Sequence, residues 1–176
     1  MKYYSGVGSR TTPKEVLEVI KEVAKALGEL GYCLRSGGAD GADKAFEEGC
    51  DDVRAQKRIY IPWNTFNGYD DKAHKFVKVT GDSEEGEEIA REIHPAWGNL
   101  KQGVKRLHIR NTNQVLGDDL HTPSKFLIFY AKEDRQGNVS GGTRTAVELA
   151  KKWGVPVFNL YKEDDFSRIS AWLKRK

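Results

Sequence analysis

Residues 2–31, KYYSGVGSRTTPKEVLEVIKEVAKALGELG, read as a strand, a glycine turn and a helix. Lys2 to Gly8 is the strand, and its last three residues are Gly6-Val7-Gly8. The helix start is marked by Thr12 as N-cap, Pro13 at the first helical position and Glu15 completing a capping box. Val16, Val19, Ile20, Val23, Ala24, Leu27 and Leu30 recur at helical spacing, and Gly31 is placed to end the helix.

The same alternation continues along the chain. Tyr32 to Arg35 reads as a second strand, broken by Ser36-Gly37-Gly38, with a helix from Ala39 to Gly49. Arg58 to Ile61 reads as a third strand, closed by Pro62. Residues 82–92 carry six acids against one base, Arg91, and predict an exposed helix. A further helix is predicted after Pro95, with Leu100, Val104 and Leu107 on one face. Phe126 to Tyr130 is a continuous apolar run, as in a strand buried on both faces. A helix from about Thr143 to Trp153, a strand Val155 to Phe158 and a last helix from about Asp164 to Lys174 complete the pattern. Alternating strands and helices predict an α/β, Rossmann-like three-layer domain with a mainly parallel sheet. The 176 residues suit one domain spanning 1–176.

A hydrophobic fraction of 38% still allows a sizeable core at this length, and a net charge of +3 is too small to name a nucleic-acid partner. Cys33 and Cys50 make no disulfide framework; Cys33, in an apolar run, is expected as a buried thiol. The start MKYYSGVGSR lacks a signal-peptide core, and no run approaches the length of a membrane helix. The expectation is a cytoplasmic protein without a membrane partner. His74, His94, His108, His121 and the cysteines show no metal-ligand spacing, so neither metal nor cofactor is expected.

Three loops follow strands and open helices. In a parallel sheet they gather at the carboxyl ends of the strands, where helix N-termini offer N–H groups to an anion. The first supplies Gly8, Ser9 and Arg10, the second Ser36, Gly37, Gly38 and Asp43, the third Ser140, Gly141, Gly142, Thr143 and Thr145. Arg10 suits bidentate phosphate binding. Asp40 suits a helix cap, and Asp43 is open to two roles, a ribose contact or the orientation of Arg10. No loop has the lysine-serine/threonine ending of a P-loop, and none matches the dinucleotide glycine pattern. No nucleophilic triad is evident.

These loops, in this order, resemble the superfamily joining the DNA-processing protein DprA (Smf) to the cytokinin-activating LOG proteins, often called SLOG. Val7-Gly8-Ser9-Arg10-Thr11-Thr12 is similar to the first DprA loop. Ser36 to Asp43 resembles the DprA segment that carries an arginine where this chain has Asp40. Arg110-Asn111 looks like the DprA arginine–asparagine pair. Ser140-Gly141-Gly142 resembles both DprA and the LOG motif; against LOG, Thr145 and Glu148 match while Ser140 and Arg144 depart. The resemblance implies a phosphate-binding DprA-like domain without the extra domains DprA usually carries, of a kind associated with bacteria and phages, and a homodimer.

Two functional classes follow. A DprA-like binder of single-stranded nucleic acid, of the DNA-processing or recombination-mediator type, would use Lys101, Lys105 and Arg106, since residues 99–113 hold four bases and no acid. Lys101, Lys105 and His108 share a helical face, and Trp97 or Trp63 would stack bases. A nucleotide pocket would use Arg10 or Arg110 on phosphate. It would be either a LOG-like nucleoside-monophosphate N-glycosidase (phosphoribohydrolase) with Glu148 as catalytic residue, or a non-catalytic binder that sequesters a nucleotide signal. Whether the chain is an enzyme stays open at this point, as does a purely structural module.

Overall fold

The computed structural model describes residues 1–175. Six strands form one sheet: β1 (Lys2–Gly8), β2 (Tyr32–Ser36), β3 (Lys57–Ile61), β4 (Val77–Val79), β5 (Leu127–Tyr130) and β6 (Val157–Asn159). Their order is β4-β3-β2-β1-β5-β6, and every pairing is parallel. Helices α1 (Lys14–Glu29), α2 (Ala42–Asp52), α3 (Glu84–Ile93), α4 (Gln102–Leu116), α5 (Arg144–Lys152) and α6 (Glu163–Lys174) cover the two faces. This is the α/β, Rossmann-like three-layer arrangement that the alternating pattern predicts.

On one face Tyr4, Leu34, Ile128 and Tyr130 meet Val16, Ile20, Val23, Ala24 and Leu27 of α1, Phe46 of α2 and Ile169 of α6. On the other, Val7, Leu127 and Phe129 meet Val115 and Leu116 of α4 and Ala146, Val147, Leu149 and Ala150 of α5. β5 is buried along its whole length, with β1 on one side and β6 on the other. That explains its unbroken apolar sequence. Cys33 is fully buried. Where α1 crosses α2, Gly49 admits the α1 backbone, since a Cβ there would lie 2.3 Å from the Lys21 carbonyl oxygen.

Several local expectations change. Thr12 does not cap α1. Pro13 is the N-cap, and its carbonyl accepts from the N–H groups of Val16 and Leu17, 3.0 Å each. The Thr12 hydroxyl turns back to the Ser9 carbonyl (2.6 Å), because the Ser9 side chain folds the loop by accepting from Thr11 N–H (3.1 Å). The capping box with Glu15 is therefore absent. Leu30 lies at the helix end and is exposed. α2 begins at Ala42, three residues late, because Gly41 takes a positive φ of 80° and packs on the backbone of Arg10. Asp40 caps nothing; its carboxylate accepts from Asn67 (3.1 Å). β4 and the segment before it went unforeseen.

The largest change is in α4. Its buried residues are not Leu100, Val104 and Leu107 but the whole run from His108 to Leu116. That half is wedged between the sheet and the neighbouring helices, so even polar side chains there are enclosed. His108 consequently leaves the basic face assigned to it with Lys101 and Lys105. The exposed α3 is as predicted, with Ser83 accepting from Gly86 N–H (3.0 Å) as N-cap.

Replacing Gly49 with valine should lower unfolding free energy by about 1–3 kcal/mol through overpacking. Gly103→Ala, with nothing within 4 Å of the added carbon, should change it by less than about 1 kcal/mol. Urea denaturation of both variants checks this.

Candidate functional site: the carboxyl end of the sheet

The first two glycine loops are joined by a buried carboxylate. Asp43 is 4% exposed and accepts from Gly8 N–H (3.1 Å) and Ala39 N–H (3.3 Å). Burial pushes its carboxyl up to about 7, although Arg110 and the two N–H groups pull the other way. Arg110 is equally enclosed. It donates to the carbonyls of Gly37 and Tyr60, the latter at 3.0 Å, and to the Asn111 side chain at 2.9 Å. Burial brings its guanidinium down to about 10, opposed by Asp43. Both side chains crowd the α-carbon of Gly37. A Cβ there would fall 2.8 Å from an Arg110 nitrogen, 2.9 Å from an Asp43 oxygen and 2.1 Å from the Gln114 amide. Only glycine fits that point.

Asp43 and Arg110 are thus committed to the frame of the loops. Ser36 is also turned inward, its hydroxyl donating to the Gly6 carbonyl at 2.6 Å. Gly38 is covered: Asn67 donates to its carbonyl (2.9 Å), and the Tyr69 ring lies 3.0 Å from where its Cβ would stand. The Phe66 ring sits 5.3 Å from the Arg110 guanidinium. Residues 66–69 therefore roof the second loop. No periodicity in that stretch announced Phe66, Asn67 or Tyr69.

Loop three stays open, and loop one exposes only Arg10 and Thr11; Gly8 is packed, since a Cβ there would lie 2.8 Å from the Ala42 side chain and the Tyr130 carbonyl. Ser9 N–H donates to the Tyr130 carbonyl (2.9 Å), so the first loop leaves the sheet beside the end of β5. Arg10 is exposed and makes none of the described hydrogen bonds or ion pairs. Across from it, residues 131–140 project as a small hairpin with a Glu133–Val139 bridge, anchored by Asn159, which donates to the Ala131 carbonyl (2.8 Å). Ser140, Gly141 and Gly142 are exposed, and nothing lies within 4 Å of a Cβ at either glycine. Asn111 fixes this loop to α4 by donating to the Gly142 carbonyl (2.5 Å). Loops one and three flank the β1/β5 switch point, where the order of successive strands across the sheet reverses and where parallel sheets commonly form a ligand crevice.

α4 runs antiparallel to the strands. Arg110 is level with the carbonyls of Gly37 and Tyr60, near the carboxyl ends of β2 and β3. At 1.5 Å per residue, the stretch back to Lys101 rises about 13 Å beyond that level. Lys101 is exposed, Lys105 lies 5.8 Å from the Trp97 ring, and Arg106 is half-buried with its Nε unpartnered. Lys101, Lys105 and Arg106 form no ion pair among the described residues. Trp97 itself is buried, while Trp63 is exposed beside Phe66.

Thr145 and Glu148 do not join the crevice as a pair. Thr145 is fully buried and shares a 2.6 Å hydrogen bond with His108. Glu148 stands one turn further along α5, half-buried, and Thr143 is half-buried at the helix start. Among the described residues no cluster could hold a metal ion, and no helix is long and apolar enough to cross a membrane. A cavity of about 500 Å³ between α1 and α6, lined by Leu27, Tyr32, Phe126 and Trp172, lies near the amino ends of the strands, away from these loops.

Asp43 and His108 give opposite pH dependences. The raised Asp43 carboxyl is protonated in the folded state and ionised in the unfolded one between about pH 4 and 7, so its contribution falls as pH rises. Burial, with His94 and Arg110 nearby, lowers His108 to about 4, so its contribution falls as pH drops below about 6.5. Asp43→Asn should therefore steepen acid destabilisation, and His108→Gln should remove it, each by at most about 1.4 kcal/mol per pH unit. Chemical denaturation between about pH 4 and 7 measures both slopes.

No family model matches the chain, and no curated protein matches its sequence. Solved structures do. The molybdenum cofactor binding protein from Rippkaea orientalis matches at 18% identity with a TM-score of 0.59, over 98% of this chain and 85% of that one. DNA processing protein A (DprA) from Streptococcus pneumoniae matches at 20% identity and 0.56, over 90% of this chain and 49% of that one. DNA processing protein A from Helicobacter pylori matches at 15% identity and 0.54, over 99% of this chain and 81% of that one. The chain has the Rossmann-like fold shared by DprA and molybdenum-cofactor carriers, as the resemblance of its loops implied.

Proposed function

We propose that the chain binds phosphate groups of single-stranded nucleic acid in the crevice between Gly8-Ser9-Arg10 and Ser140-Gly141-Gly142. The observation that carries this reading is the placement of α4. Its first two turns bring Lys101, Lys105 and Arg106 past the end of the sheet where Arg10 also stands. Cations with no carboxylate partner, on one end of one sheet, are a track for a phosphate backbone. Gly141 is required by its own φ of +77°, whereas Gly142, with neither a positive φ nor any atom near a Cβ, leaves its backbone uncovered for a close approach. The Helicobacter pylori neighbour is described by its single-stranded DNA binding mode, which agrees with this reading.

The N-glycosidase alternative has less support. It needs Glu148 and an arginine at the ligand, yet Glu148 is half-buried within α5 and Arg110 is spent on the Gly37 and Tyr60 carbonyls. Arg110 belongs to the frame, so Arg110→Ala would act first on stability. The cofactor-carrier neighbour favours a second reading, in which the same crevice holds one compact phosphorylated ligand.

Fluorescence anisotropy with a labelled single-stranded oligonucleotide tests the proposal. Lys101→Ala with Arg106→Ala should weaken binding about tenfold or more. Gly142→Ala should weaken it with an unchanged melting temperature, and Lys174→Ala, on the far end of α6, should leave it alone. Equal affinity in all variants would refute the reading.

A further inference from the structure

A different face of the sheet carries an unexplained concentration of charge. On the α4 side of the far edge, two adjoining cavities of about 410 and 180 Å³ share Arg58 and Asp118 in their walls. Lys75 and Lys78 line the larger one. Among the described residues, Arg58, Lys75 and Lys78 have no carboxylate in ion-pair reach. Lys57 is different: its amine is spent on Glu47 and Asp51, both at 2.9 Å.

The floor of the smaller cavity is a buried cation. Arg35 is 2% exposed, and one of its terminal nitrogens donates to the carbonyls of Val115 and Thr122 and to the Ser124 hydroxyl. None of these acceptors carries charge. Its Nε is buried with no partner. The Tyr3 ring lies 3.9 Å from the guanidinium. Gly117 leaves it room, since a Cβ there would stand 2.4 Å from the other terminal nitrogen. The two acids at this end are engaged. Asp118 accepts from the Tyr60 hydroxyl (2.6 Å), and Asp119 accepts from His121 N–H and the Thr122 hydroxyl.

A buried guanidinium whose Nε has no partner, beside three cations without ion pairs, is costly, and Asp118 offsets only part of that charge. We propose that this cleft is a second anion site, taking a compact ligand with two adjacent phosphates: free pyrophosphate or the diphosphate end of a nucleotide. Four cations at Arg35, Arg58, Lys75 and Lys78, against Asp118 and Asp119 in the same walls, leave the cleft net positive and suited to such a group. Asp118 and Asp119 on one side, and Glu47 and Asp51 around Lys57 on the other, bound the positive field too closely for a strand to run through. The site lies by the C-terminus of α4, whereas the crevice lies by its N-terminus, and it does not depend on the nucleic-acid reading.

Backbone amide NMR of the intact chain, titrated with pyrophosphate and then with ADP, tests this. Pyrophosphate should shift Arg58, Tyr60, Lys78 and Asp118 and leave Ser9 and Gly142 unmoved. Arg58→Ala with Lys78→Ala should weaken it about tenfold or more, and Lys75→Glu, at an exposed position, should weaken it as well. Tighter binding of ADP at the same signals assigns the nucleotide as source, and equal binding assigns the free anion. The proposal is overturned if millimolar pyrophosphate moves only the loop signals or none. It is also overturned if a single-stranded oligonucleotide moves Arg58 and Lys78 where pyrophosphate does not, or if folded variants bind unchanged.

Discussion

The carboxyl end of this sheet is organised by two buried polar side chains, Asp43 and Arg110, that meet over one glycine. Asp43 holds the N–H groups of Gly8 and Ala39, Arg110 holds the carbonyls of Gly37 and Tyr60, and both press on the same α-carbon. Removing Asp43 would leave the Gly8 and Ala39 N–H groups without their acceptor, and removing Arg110 would leave the Gly37 and Tyr60 carbonyls without their donor, each unsatisfied buried group costing about 1–3 kcal/mol. The pair therefore sets the spacing of loops one and two and pins α4 against the ends of β2 and β3. Everything exposed at this end is positioned by that constraint: Arg10 on one side, the first turns of α4 on the other, and, through Asn111, the third loop.

This divides the glycine-rich segments by role. The second loop is structural. Its glycines make room for Arg110, Gln114 and Tyr69, and residues 66–69 close over it. The first loop is packed at Gly8 and exposes Arg10, while the third is open and its glycines face no atom of the chain. A glycine forced by packing, such as Gly37, and a glycine in open space, such as Gly142, look the same in sequence.

That difference marks how far the sequence could be read. The β5 run was legible because a strand buried on both faces is apolar throughout, whereas β1, β2 and β3 were legible from the glycines or proline that close them and from their alternation with helices. The three loops were legible as a group because strand–glycine–helix junctions of a parallel sheet collect at one end. The direction of each side chain was not legible. Ser36, Asp43, Arg110 and Thr145 are polar residues at ligand-like positions, and all four turn inward to satisfy buried donors and acceptors. α4 misled for a related reason. Enclosed on all sides in its second half, it has no amphipathic stripe there, and the Leu100, Val104 and Leu107 spacing belongs to the more exposed stretch before His108. Residues 66–69 carry no period at all and could be placed only in three dimensions.

The account stands on unpaired cations at the carboxyl end acting together on phosphates. The most direct measurement is the affinity of the unaltered protein for a short single-stranded oligonucleotide across a range of salt concentrations. With three or four phosphates neutralised, the logarithm of the association constant should fall against the logarithm of salt with a slope of about −2 to −3. A slope near zero, or no binding at low salt, would contradict it.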